Sequence, residues 1–359
     1  MIITEHPSTF LHKNLTDTIR NAALEAECEG RLHNDQLDII YRQQWFKMFV
    51  PPDYGGLGLS LPEILKIEEC LSWADGSTAW VVTLCSGAGW FIGFLDPGLA
   101  SDVFRDDRVC LAGSGAIGGV ARIIPGGYEI NGNWKYASGS LYATAFTVNC
   151  HVEKDGLPLS HPDGSPVVQS FFLKKNELKL ITNWKGMGMV ATGSHSFEIR
   201  NVQVPLIRSF SIDPALATLR HPVYQFPFLQ LAETTLAVNS SGLAIRFIDL
   251  CETLFEQKGK QTLGELTHAR GKLNELRSVF FATVSAAWET LIANHPIPDP
   301  LLVKISEASR LLAHTSRHLV TELFPLCGLE AANHQTEINR VWRNIHTAGQ
   351  HAIFRVKTS

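Results

Sequence analysis

With 359 residues, 45% of them hydrophobic and 18% charged, the chain has enough material for a large buried core divided among two or three units, which excludes a single small binding module. A formal net charge of -4 leaves no global field to concentrate nucleic acid or an anionic membrane surface, so the expected partners are small molecules and copies of the chain itself. The opening stretch MIITEHPSTFLHKN has no basic patch followed by an apolar run, which implies a cytoplasmic location. Seven cysteines, an odd number without any CxxC pair, argue against a disulfide framework and a structural zinc site, and buried reduced thiols are expected.

From Leu15 to about Asp102 the pattern is helical, with LTDTIRNAALEAECEG repeating apolar residues at intervals of three and four and a turn at Pro51, Pro52, Gly55, Gly56 and Gly58. The uncharged run from Ser77 to Leu95 reads as a helix buried on most sides. Between about Val109 and Ser211 short β-type runs such as ATAFTVNCHV, VVQSFFL and HSFEIRNVQV alternate with Gly, Asn, Asp and Pro, suggesting a small sandwich or barrel. After Pro222 four long helical patterns return, beginning with FPFLQLAETTLAVNSSGLAIRFIDLCETLFEQ and ending with TEINRVWRNIHTAGQHAIFRVK, which suggests a bundle. The resulting division is a helical domain over residues 1–108, a β domain over 109–211 and a helical bundle over 212–359.

Gly113, Gly115 and Gly118 formally match GxGxxG, but that motif needs a following helix whose N-terminus receives a pyrophosphate. Here VARIIPGGYEI follows and reads as strand, turn, strand, so an intrinsic nicotinamide site is not expected. His346 and His351 are five apart, outside the three or four that places two ligands on one helix face, so no metal is expected. There is no GxSxG elbow and no cysteine signature for a nucleophile. Residue patterns by themselves stop at an enzyme-sized α+β protein with helical ends.

The order of its motifs, however, resembles the acyl-CoA dehydrogenase superfamily over nearly the full length. FVPPDYGGLGLSLPEILKIEECLSWADGSTAW, GGYEINGNWKYASGS, NWKGMGMVATGSHSFEIRNVQVP and TEINRVWRNIHTAGQHA are similar, in that order, to the family's successive signatures. The resemblance implies an N-terminal helical domain, a central β-barrel and a C-terminal four-helix bundle. It further implies a homotetramer and a flavin, FAD or FMN. Ser138, in the segment Tyr136, Ala137, Ser138, would be the hydroxyl at flavin nitrogen 5. Ser114 and its glycines would run along the flavin, Trp184 and Thr192 would touch it from the second β segment, and Gly328 would pack on a neighbouring subunit's cofactor.

The departures from the family pattern bear on the reaction. Nine residues after Arg343, where many dehydrogenases carry a catalytic glutamate, stands Ala352, with His351 just before it. The family's arginine-containing motif is replaced by KGKQTLG, and its Arg-Asp pair reads Arg343 and Asn344. A histidine at this place, together with Gly132, Trp134, Ser138 and Gly139, resembles the two-component flavin monooxygenases that include hydroxyphenylacetate hydroxylase and dibenzothiophene monooxygenase. That resemblance implies a reduced-flavin-dependent monooxygenase of an aromatic or apolar small molecule, fed by a separate flavin reductase. Its catalytic residues would be His351, Ser138 and Arg343, with His351 stabilising the oxygenated flavin or deprotonating the substrate. Two alternatives stand beside it. One is α,β-dehydrogenation of an acyl thioester with Glu233 or another, unrecognised carboxylate as base and a separate electron acceptor; the other is a non-catalytic flavin-binding homologue.

Overall fold

The computed structural model describes residues 5–259 and 263–355; the rest of the KGKQTLG segment, residues 260–262, lies outside them. Six helices come first: α1 (Lys13–Asn21), α2 (Ala23–Glu29), α3 (Asn34–Arg42), α4 (Leu61–Ala74), α5 (Gly76–Gly89) and α6 (Pro97–Phe104). Ser60 and Glu63 form a reciprocal capping box that starts α4. Asp75 is extended, so it ends α4, and its carboxylate then accepts from Thr78 N and Oγ1, both at 2.8 Å, to start α5. From Gly76 to Phe94 the chain is long and apolar enough to cross a membrane by composition, yet 83% of its most apolar window is buried within the protein. It is the core helix that its uncharged sequence implies.

Eight strands follow: β1 (Leu111–Ile124), β2 (Gly127–Ala137), β3 (Ala145–Lys154), β4 (Leu157–Pro158), β5 (Val168–Lys174), β6 (Lys179–Ile181), β7 (His195–Pro205) and β8 (Ser209–Phe210). They form one mixed sheet in the order β6-β7-β2-β1-β3-β5-β8, with β4 beside β3; β1 and β3 are parallel and the other pairs antiparallel. The expected closed barrel is corrected to an open sheet. Closure needs two edges that bond along a common stagger, whereas β6 has three residues and β8 two. The sheet still has its own core, in which Trp134 stacks on Phe197 at 5.4 Å. Of the glycines in the GxGxxG match, Gly118 serves that packing: β1 stays a strand here, and a Cβ on Gly118 would lie 2.6 Å from the Trp134 ring.

The helical remainder contains α7 (Phe228–Gln257), α8 (Leu263–Ile292), α9 (Asp299–Cys327), α10 (Leu329–Ala332) and α11 (Glu337–Ala348). Helix α7 is the common partner of α4, α5, α9 and α11. Ser72 of α4 donates to the Asn239 carbonyl of α7 at 2.6 Å, and Trp73 donates to Asp249 at 2.8 Å. A fully buried ion pair, Arg277 of α8 with Glu69 of α4 at 2.7 Å, joins a third helix to this layer. Of the seven cysteines six are buried and Cys28 is exposed, a departure from the expectation that all are internal.

Behind α5 lies a buried acid. Glu68 of α4 is fully buried, neither carboxyl oxygen has a hydrogen bond among the described residues, and burial pushes its pKa far above the ordinary carboxylate range against the weaker pull of the Thr83 and Ser86 hydroxyls. The carboxyl is therefore neutral in the fold while the unfolded chain ionises above pH 4.5, so stability falls as pH rises from there toward the raised folded value. Glu68→Gln removes this titration. Urea unfolding is expected to show the variant gaining stability relative to the wild type as pH rises above the ordinary carboxylate range. A difference that does not change with pH would show Glu68 ionised in the fold.

Candidate active site

The site is assembled from the end of β2, helix α5, the loop before β7 and the residues that follow α11. Ser138 follows β2 and is buried. Its Oγ accepts from Trp80 Nε1 of α5 at 3.1 Å and lies 2.8 Å from Ser194 Oγ. Ser194 Oγ is in turn 2.7 Å from Thr192 Oγ1, which donates to the Met189 carbonyl at 2.7 Å. The same carbonyl accepts from Trp184 Nε1 at 2.9 Å. Ser138, Thr192 and Trp184 thus belong to one hydrogen-bonded chain. Tyr136, at φ +64° and 69% exposed, stands edge-on to Trp184 at 6.1 Å and gives this side an aromatic surface.

His351 reaches the same place from the other end of the chain. Its ring lies edge-on to Trp80 at 5.9 Å, so one indole touches both sequence-derived candidates, Ser138 and His351. The Ile353 N–H donates to Nδ1 at 3.3 Å, capping the 3-10 turn Ala352–Phe354. With Nδ1 an acceptor, the neutral ring carries its proton on Nε2. One edge of the residue is open to solvent, yet the surrounding protein desolvates the ring and, with Arg355 nearby, holds its pKa below the ordinary value of 6.5.

Arg343 does different work. Its buried guanidinium donates to Asn339 Oδ1 at 2.7 Å, to the Met187 carbonyl at 3.0 Å and to both carboxylate oxygens of Glu27 on α2. The next residues extend the grip, for Asn344 Oδ1 accepts from Met189 N at 2.7 Å and Thr347 Oγ1 from Gly188 N at 2.9 Å. Helix α11 thereby clamps the loop whose Met189 carbonyl ends the hydroxyl chain.

The remaining candidates stand apart. Ser114 lies in β1, where its Oγ accepts from Ala116 N at 3.4 Å, and Gly328 ends α9 at φ +69° beside the 89% exposed Leu329. Neither shares a hydrogen bond with the Ser138 chain among the described residues. Glu233 is fully buried, with Oε1 held by Arg310 at 2.6 Å and Oε2 without a partner among the described residues. Sequence reasoning missed Trp80, Ser194 and the Glu27 partner of Arg343. The first two lie within the recognisable stretches DGSTAW and TGSHS, whereas Glu27 carries no local signal.

An isoalloxazine is planar and apolar on its faces, with polar groups on its edges. Tyr136 and Trp184 provide an aromatic surface, and Ser138 provides a hydroxyl beside it, so the residues present fit such a ring.

The fold is of the acyl-CoA dehydrogenase type. Residues 229–356 match the family described as acyl-CoA dehydrogenase, C-terminal domain. The oxygenase subunit HsaA of a flavin-dependent monooxygenase from Rhodococcus jostii is 26% identical, with 94% of this chain and 92% of that protein covered. Indole-3-acetate monooxygenase of Pseudomonas putida is 23% identical over 94% of this chain and 88% of its own length. The solved structure of XiaF from Streptomyces in complex with FADH2 and glycerol superposes with a TM-score of 0.86 at 22% identity, over 97% of this chain and 91% of that one. The C-terminal part of the chain thus resembles that family, and the relatives it matches over most of its length are flavin-dependent monooxygenases.

The clamp by α11 leaves no room at Gly188, where a Cβ would lie 2.2 Å from the Arg343 carbonyl oxygen. Gly188→Ala must push the loop off the helix. Chemical denaturation is expected to show a loss of about 1–3 kcal/mol, and limited proteolysis new cleavage between residues 185 and 190. Unchanged stability would show that the loop and α11 are not locked together.

Proposed function

We propose that the chain is the oxygenase component of a two-component monooxygenase that hydroxylates an aromatic or similarly apolar small molecule, with reduced flavin delivered by a separate reductase. The observation that carries this reading is that Ser138 and His351 both contact Trp80. When bound, reduced flavin supplies the activation of dioxygen. The names of the relatives, an oxygenase subunit and an indole-3-acetate monooxygenase, support an aromatic substrate class.

In this reading Ser138 hydrogen-bonds the reactive edge of the flavin, and Tyr136, Trp184 and Thr192 line or support its face. Ser114 offers backbone along β1, and Gly328 faces the cofactor of a neighbouring subunit. His351 is the proton-bearing residue. Because the Ile353 N–H occupies Nδ1, it acts as a donor through Nε2 to oxygen on the flavin or the substrate. Arg343 acts at a distance, by positioning the loop. Against the dehydrogenase reading stands the engagement of Glu233 Oε1 by Arg310 in a fully buried position. Exposed Val279, Ile292, Val303 and Leu311 on the long helices support a four-helix bundle whose outer surface is covered in a homotetramer. The same reading keeps the domain limits at residues 1–108, 109–211 and 212–359 and a cytoplasmic location.

His351→Ala is expected to lower the hydroxylation rate by about a hundredfold or more while reduced-flavin binding stays within about twofold of wild type. Because desolvation lowers the ring's pKa, His351 stays neutral above about pH 6.5 with its proton on Nε2, and the wild-type rate is expected to show no change from its titration above that pH. A variant that turns over normally would overturn the role of His351.

A further inference from the structure

The hydroxyl chain behind Ser138 has only one arrangement of protons. The Met189 carbonyl can only accept, so Thr192 Oγ1, 2.7 Å away, donates to it. Thr192 then has no proton left, and Ser194, 2.7 Å from Thr192 Oγ1, must donate to Thr192. Ser194 in turn has no proton left, and Ser138, 2.8 Å from Ser194 Oγ, must donate to Ser194. Reversing any member leaves two oxygens in contact without a hydrogen between them. Trp80 Nε1 has a donor and no acceptor, so it occupies one of the two lone pairs of Ser138 Oγ. What Ser138 has left is a single lone pair.

The reactive nitrogen of a flavin changes its hydrogen-bonding character with redox state. In the reduced ring N5 carries a hydrogen and donates; in the oxidised ring N5 is a bare lone pair and accepts. A buried hydroxyl that can only accept pairs with the first and opposes the second.

We propose that the relay Trp80, Ser138, Ser194, Thr192, Met189 carbonyl makes Ser138 an obligate hydrogen-bond acceptor and thereby selects reduced over oxidised flavin. The proposal rests on the reading of the protein as a flavin-dependent oxygenase and adds the origin of its redox preference. Ser194, Thr192 and Trp80 are positioning residues that act through Ser138. Serving oxidised flavin would require the hydroxyls to turn together and the Thr192 bond to the Met189 carbonyl to break. The preference is therefore built into a carbonyl that α11 holds through Asn344 and that Trp184 also engages. It suits an oxygenase that takes up reduced flavin from solution and must release the oxidised form after each turnover.

The test is binding, measured on the full chain by anaerobic titration with FMN and FAD, each reduced and oxidised. The wild type is expected to bind at least one flavin about tenfold or more tighter when reduced. Ser194→Ala frees the Ser138 proton to turn outward, and Thr192→Val removes the acceptor that holds the Ser194 proton. Each is expected to lower the ratio of oxidised to reduced dissociation constants by about three- to tenfold, mainly through tighter binding of the oxidised form. Melting temperatures identify any variant that fails to fold, and either variant suffices for the comparison. A merely structural role would move both constants together and leave their ratio unchanged. A wild type that prefers reduced flavin, with a ratio that survives in both variants, overturns the relay alone. Equal wild-type affinity for the two redox states overturns the redox preference and leaves flavin binding standing. No binding of any flavin overturns the oxygenase reading and the relay with it.

Discussion

The buried contact of Arg343 with Glu27, Asn339 and the Met187 carbonyl is the constraint on which the site depends. A guanidinium removed from water needs its donors paired, and here the partners come from α2, from α11 itself and from the loop before β7. Three distant parts of the chain are therefore fixed against one another by a single side chain. Asn344 and Thr347, on the same helix, bind the backbone of Met189 and Gly188. They hold Met189 at φ +52° and so determine where its carbonyl points. Trp184, Thr192, Ser194 and Ser138 follow from that carbonyl in order. The residue after Arg343 is Asn344, whose amide oxygen accepts the Met189 N–H.

Helix α5 connects this clamp to the body of the protein. One side presents Trp80 to Ser138 and His351, while Thr83 and Ser86 lie beside the neutral carboxyl of Glu68, and Asn239 of α7 donates to Thr83 at 2.9 Å. A site residue on a helix packed this way has little freedom. That matters when its task is to occupy one particular lone pair of a serine. The apolar surroundings that hold α5 in place also make the buried polar groups around it consequential, because each has few alternatives to its present partner.

The chemistry available here differs from that of a dehydrogenase for a local reason. Such an enzyme needs a carboxylate free to remove a proton, but position 352 is an alanine and Glu233 is fully buried with Oε1 on Arg310. What the site offers is a neutral imidazole with its proton directed away from the backbone, an aromatic surface and a hydroxyl whose own proton points into the protein. These groups suit donating to oxygen and recognising a reduced ring, and none is an available strong base.

Much of this was legible in the order of residues. The uncharged run after Ser77 marked the core helix, the period of the segments placed the change from helix to strand and back, and the motifs singled out Ser138, Thr192, Trp184 and His351, which the fold brings together. The segment VARIIPGGYEI was correctly read as strand, turn, strand, but the glycines before it, read as a loop, lie within β1, and the room that Gly118 and Gly119 leave is filled by the Trp134 ring of β2. The barrel was not legible as open, because closure depends on whether the last two-residue and three-residue strands meet, and no local pattern records that. Nor could the role of Arg343 be read, since its partner Glu27 is more than 300 residues away and looks like any acidic residue on a helix. Sequence alone determined which side chains were available and which segments were apolar enough to bury them. Tertiary structure decided which lone pairs and protons face one another, because hydrogen-bond direction depends on distances between atoms that the chain brings together only when it folds.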